Sequence, residues 1–162
     1  MKHFLILIIA IVYFNPVVGQ TPVVEWKKNI STGHPKIIIQ TNENGFASLT
    51  HFDNVITLTK IDENGDLLWN YKIENAFTNQ ISNFIETKNG DFLLVGSQSN
   101  PSTSTDLWLI KLDKNGNYIW DKSFGGKDLD AGVDIIESSD NNILVVGFTS
   151  SLDGDVSNNN GY

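Results

Sequence analysis

The sequence predicts an all-β protein assembled from tandem four-stranded antiparallel units, and three observations carry the prediction. Runs rich in Ile, Val, Leu, Phe and Trp are short, and Gly, Asn and Asp separate them every eight to twelve residues, which is the spacing of strands and tight turns. Residues 56–100 laid over residues 107–151 without a gap, at an offset of 51, match at 12 of 45 positions, where average usage gives roughly three by chance. The matches cluster: Leu58, Lys60, Asp62, Asn64, Gly65 and Trp69 fall on Leu109, Lys111, Asp113, Asn115, Gly116 and Trp120, and Leu93, Val95 and Gly96 fall on Leu144, Val146 and Gly147. Recurrence at one period over this length is the mark of a repeat architecture.

At the N-terminus, Lys2 and His3 precede an uninterrupted apolar run from Phe4 to Phe14, which Asn15-Pro16 ends. This is the plan of a secretion signal peptide, expected over residues 1–19, with Val17 and Gly19 as the small residues before cleavage near Gln20. Eleven apolar residues give roughly 16 Å of helix against about 30 Å of hydrocarbon, so no membrane span is expected. The expected location is secreted, extracellular or at the cell surface, with the periplasm as the alternative. The chain has no cysteine, so no disulfide framework holds it and no lipid anchor can form at the cleavage point. Its formal net charge of −8 repels phosphate, which disfavours nucleic acid and anionic membranes as partners.

Residues 20–162 then divide into a degenerate copy at 23–52, a repeat at 55–105 and a repeat at 106–162. In the last, strands are expected at Leu107 to Asp113, Tyr118 to Phe124, Val133 to Ser138 and Ile143 to Thr149. Lys114-Asn115-Gly116 and Asp140-Asn141-Asn142 form the turns, because Asn and Gly tolerate positive φ. Leu93 to Val95 and Ile143 to Val146 are nearly continuous apolar runs, which predicts burial on both faces. In the degenerate copy Trp26 stands where Trp69 and Trp120 stand, and Ile39-Gln40-Thr41 and Phe46 match Ile85-Glu86-Thr87 and Phe92 at an offset of 46. That copy lacks a first strand, so eleven strands are expected. The reading is of antiparallel four-stranded β-propeller-type blades, two full and one partial. Such an incomplete propeller implies further blades in a longer parent chain, closure by self-association, or an open stack.

The run from Asp106 to Asn117, with Trp120, Phe124-Gly125-Gly126, Ile135-Ile136, Leu144 to Gly147 and Asp153 to Ser157, resembles the roughly fifty-residue repeat of secreted Bacteroidetes β-propeller proteins, many of which end in a type IX secretion sorting domain. The resemblance covers most of residues 55–162. It implies an extracellular or surface-displayed binding or adhesion scaffold.

Candidate sites are few. Asp62 to Asp66 and Asp113 to Asn117 place oxygen side chains at positions 1, 3 and 5, as a calcium loop does, but lack the Glu at position 12; a hairpin turn accounts for both. Asp153 and Asp155, in a long polar loop, are the better calcium candidates, and no other cofactor is indicated. Trp26, Trp69 and Trp120 recur at one strand position and are expected to pack between blades. Trp108 has Thr57 as its counterpart and is the candidate for an exposed or specific binding role. Asp128, Asp130 and Asp134 could supply the paired carboxylates of a glycosidase, although Asn and Asp also make local turn bonds. His34 and His51 lack a third ligand at useful spacing. No catalytic residue is assigned. The expected function is a secreted, non-catalytic repeat scaffold that binds a protein or glycan. The alternatives are an incomplete part of an extracellular propeller hydrolase or quinoprotein, and a truncated product without activity.

Overall fold

The computed structural model describes residues 6–13, 23–75, 78–102 and 104–156. Among these there are twelve strands and no helix, so no helix is long and apolar enough to cross a membrane. By contacts the chain forms two compact units, Met1–Lys72 and Ile73–Tyr162.

In the first unit, β1 (Ile6–Tyr13) pairs antiparallel with β2 (Val23–Thr32). Within the apolar run read as a secretion signal, Ile6–Tyr13 is thus a strand, while the ends of the run, Lys2, His3 and the cleavage region lie outside the described residues. A four-stranded antiparallel sheet follows, in the order β3 (His34–Gln40), β4 (Phe46–Phe52), β5 (Val55–Ile61), β6 (Leu67–Glu74). In the second unit the sheet order is β10 (Tyr118–Phe124), β9 (Ser104–Leu112), β8 (Phe92–Asn100), β7 (Asn79–Glu86). A two-stranded sheet of β11 (Asp130–Glu137) and β12 (Ile143–Thr149) completes it.

The strands of the last sequence copy fall close to their expected places, but the sheets are out of phase with the copies. Each four-stranded sheet takes its first two strands from the end of one copy and its last two from the start of the next. The physical reason is the turn chemistry. Two residues join β4 to β5 and three join β8 to β9 within a sheet, so the copy boundary itself is a hairpin.

Five hairpin turns share one geometry. In each, the first residue's N–H donates to the carbonyl of the fifth and its own carbonyl accepts from the N–H of the fourth, as in Asp113.N to Asn117.O at 2.8 Å and Gly116.N to Asp113.O at 3.0 Å. The others begin at Thr41, Asp62, Thr87 and Ser138. This is a type I turn closed by a left-handed residue. That fourth residue has positive φ every time: Asn44 63°, Gly65 78°, Gly90 85°, Gly116 81° and Asn141 64°. Asn115 and Asn64 do not share the positive φ.

Within the second unit β11–β12 packs face to face on β7–β10. Leu93, Val95 and Ile135 form the buried centre, and Ile85, Leu107, Leu109, Trp120 and Val145 surround it. The same irregularity recurs along the chain: register shifts lie between Ile81 and Asn83 and between Gly132 and Asp134, which are 51 apart. Opposite them stand Gly96 and Gly147, where a Cβ would collide with the main-chain oxygens of Gln80 and Ala131. Glycine is required there by close strand approach. Polar contacts fix the edge of the interface. Asn83 donates to Asp134, the Lys88 N–H donates to Glu137 at 2.7 Å, and Lys88 Nζ donates to the carbonyls of Ser138 at 2.7 Å and Ser139 at 2.9 Å.

One expectation fails. Leu93 to Val95 is buried as predicted, but Leu144 is 49% and Val146 60% exposed, because no second sheet covers that face among the described residues.

Candidate functional site

Toward one end of the interface between β7–β10 and β11–β12 the apolar centre gives way to a groove of about 450 Å³. Thr78, Gln80, Ser82, Ser97, Ser99 and Thr105 line one wall, and Leu129, Ala131, Gly132, Val133 and Phe148 line the other. The polar wall follows from strand alternation: Gln80 and Ser82 lie two apart on β7, and Ser97 and Ser99 two apart on β8, so each pair shares a face. Phe148 is 53% exposed. The groove therefore offers hydroxyl and amide groups opposite an open aromatic ring.

Beside the groove, the loop Gly125 to Leu129 is held to the segment Ser151 to Asp155 around one buried carboxylate. Asp130 is 3% exposed. Its Oδ2 accepts from the Gly126 N–H and the Ser151 hydroxyl, each at 2.8 Å. Burial works to raise its pKa, but the neighbouring Thr149 hydroxyl, the Gly126 N–H and the Ser151 hydroxyl and N–H together hold it below the ordinary carboxylate value. Gly125 is needed for this approach: a Cβ on it would lie 2.5 Å from Asp130 Oδ2 and 2.9 Å from Asp106 Oδ1. A smaller cavity of about 240 Å³ opens here, lined by Leu107, Phe124, Asp130, Phe148, Asp155 and Val156 among others.

The calcium candidates belong to the same loop system. Asp153 Oδ1 accepts the Lys127 N–H and its Oδ2 pairs with Lys127 Nζ, both at 2.9 Å. The Lys127 bonds hold Asp153 below its ordinary pKa and raise that of Lys127. Asp155 exchanges two bonds with Gly125, donating its N–H to the carbonyl at 3.0 Å and accepting the Gly125 N–H at 3.3 Å. Both carboxylates thus staple the Gly125–Lys127 main chain. Among the described residues no group of three or more His, Cys, Asp or Glu side chains forms a metal-ligating cluster.

The other candidates are dispersed. Trp108, read as the candidate for exposure, is buried at 7%, with its indole N–H donating to Asp121 at 2.8 Å. The Tyr118 hydroxyl and this indole together lower the Asp121 pKa. Trp120 packs against the sheet-to-sheet centre, with Lys122 Nζ 5.5 Å from its ring; the side chain of Trp26 lies outside the described residues. Asp62 and Asp113 cap their own turns: Asp113 Oδ1 accepts the N–H groups of Asn115 at 2.8 Å and Asn117 at 2.9 Å. Asp128 and Asp134 are exposed. Asp130 and Asp134 are four residues apart on one strand, about 13 Å at 3.3 Å per residue, beyond the roughly 5–9.5 Å of glycosidase pairs. His34 stands directly opposite His51 across β3 and β4, a juxtaposition that sequence spacing concealed.

Sequence reasoning missed the groove, because its walls come from strands of two different copies. The signal available was the recurrence of Ser and Thr at alternate positions of residues 78–105. In comparisons with known proteins, no family model and no curated protein matches the chain.

Proposed function

We propose that the chain is a secreted, non-catalytic repeat scaffold of the β-propeller type, whose sheets are blades, and that the groove between two of them binds a glycan. The observation that carries this reading is the groove's chemistry. Hydroxyl and amide side chains on one wall suit a polyhydroxylated ligand, and the open ring of Phe148 on the other suits the apolar face of a sugar. Asp130 and Asp134 on β11 are too far apart to act as a glycosidase pair. Repeat architecture is supported by the twelve sequence matches and by turns and register shifts recurring at one offset. Export rests on the basic start and the apolar run that follows it; cleavage near Gln20 would leave β2 without β1.

Calorimetric titration of the purified chain with neutral oligosaccharides, and assay of the same sugars for turnover, tests the reading. Saturable binding without hydrolysis is expected, weakened about two- to tenfold by Phe148→Ala, the scale of one lost stacking contact. Turnover, absence of binding, or binding indifferent to Phe148→Ala contradicts it.

A further inference from the structure

Each copy carries one cross-strand pair at the same place. Gln80 stands opposite Ser97 on β7 and β8, Ala131 stands opposite Phe148 on β11 and β12, and all four line the groove. The counterpart in the first unit, at an offset of 46, is His34 opposite His51 on β3 and β4. The position that meets open space in the other two copies thus holds two imidazoles here. His34 is exposed and His51 partly buried.

We infer that His34 and His51 together bind one divalent transition-metal ion of the kind that prefers imidazole, such as zinc. Three observations support this. Residues directly opposite in an antiparallel pair share a face, with Cβ atoms about 4.5–5.5 Å apart. Two nitrogens that each meet one zinc ion at about 2.0–2.1 Å stand roughly 3–3.5 Å from each other, so the rings reach a common ion by converging slightly. The main chain is also drawn close at this point. Gly33 has a φ of 137°, and a Cβ on it would lie 3.0 Å from the His51 carbonyl oxygen and 3.1 Å from the Phe52 Cβ. Finally, Nε2 of His51 is enclosed and has no hydrogen-bond partner among the described residues. A ring nitrogen left so is costly unless a donor or a metal meets it. No third His, Cys, Asp or Glu joins the pair among the described residues, so solvent completes the coordination. β3 is the edge strand of its sheet, and the ion clips it to β4. The net charge of −8 favours a cation. The site goes beyond glycan binding and does not depend on it.

Calorimetric titration of the untagged full chain with zinc chloride in a non-chelating buffer tests the inference. Saturable binding of one ion per chain is expected, reversed by EDTA and accompanied by a rise in thermal midpoint. His34→Ala, at an exposed position, should leave the far-UV circular dichroism of the metal-free chain unchanged. It should weaken zinc binding at least about tenfold, no less than the loss of an outer-sphere partner costs, and remove most of the thermal rise. His51→Ala should do the same. Absence of zinc binding, or an affinity indifferent to either substitution, overturns the inference.

Discussion

Asp130 shows how a single side chain can organise a loop system without doing chemistry. Its carboxylate is removed from water, which alone would favour the neutral acid, yet the polar groups of Thr149, Gly126 and Ser151 around it stabilise the anion more. Since the folded pKa lies below the unfolded value, near 3.9, the unfolded chain binds more protons in acid. The stabilisation is present above about pH 4 and lost as pH falls through the folded value. Asp113, Asp121, Asp140 and Asp153 are shifted the same way. Urea midpoints measured from pH 7 to pH 3 should therefore be level at first and fall in acid. Asp130→Asn should lower the plateau and make the acid limb shallower; an unchanged limb would mean that Asp130 carries no linkage. This residue was only half legible in the sequence. Its membership of an acidic group was visible, but its burial was not, because the Thr149 and Ser151 hydroxyls that meet it lie 19 and 21 positions along the chain, beyond any local pattern.

The hairpin turn is the element that recurs most faithfully. Its fourth position needs a left-handed backbone, which costs an ordinary L-residue roughly 1–2 kcal/mol and costs Gly or Asn little. Gly116, at φ 81°, should therefore tolerate Asn, the residue that serves at positions 44 and 141, within about 0.5 kcal/mol, while Gly116→Ala loses about 1 kcal/mol or more. Denaturation midpoints of the two variants check this, and equal losses would contradict it. The turns at 114–116 and 140–142 were legible from their residues alone, as turn type follows from local chemistry. The register shifts opposite Gly96 and Gly147 were not. They depend on how closely two strands approach, and apolar periodicity carries no record of that distance.

At the scale of the whole molecule, the count of strands in residues 23–149 was readable from the pattern of apolar runs, but their partition into sheets was not. Sequence copies are defined by where similarity restarts, whereas sheets are defined by pairing, and here the two differ by two strands. The continuous apolar runs at 93–95 and 143–146 look alike in sequence, yet only the first is buried. Burial on the second face depends on a neighbour, and Leu144 and Val146 have none among the described residues. Face-to-face stacking of β11–β12 on β7–β10 is the arrangement on which both the groove and the open patch rest.

Gly132 and Val95 test that stacking most directly. A Cβ at Gly132 would strike the Val95 side chain across the interface, so Gly132→Ala should cost about 1–3 kcal/mol from overpacking. If β11 lies on β8 as described, most of that cost should vanish in a Val95→Ala background, giving a coupling of about 1 kcal/mol or more in a double-mutant cycle. Strict additivity of the two substitutions would contradict the stacked-sheet account.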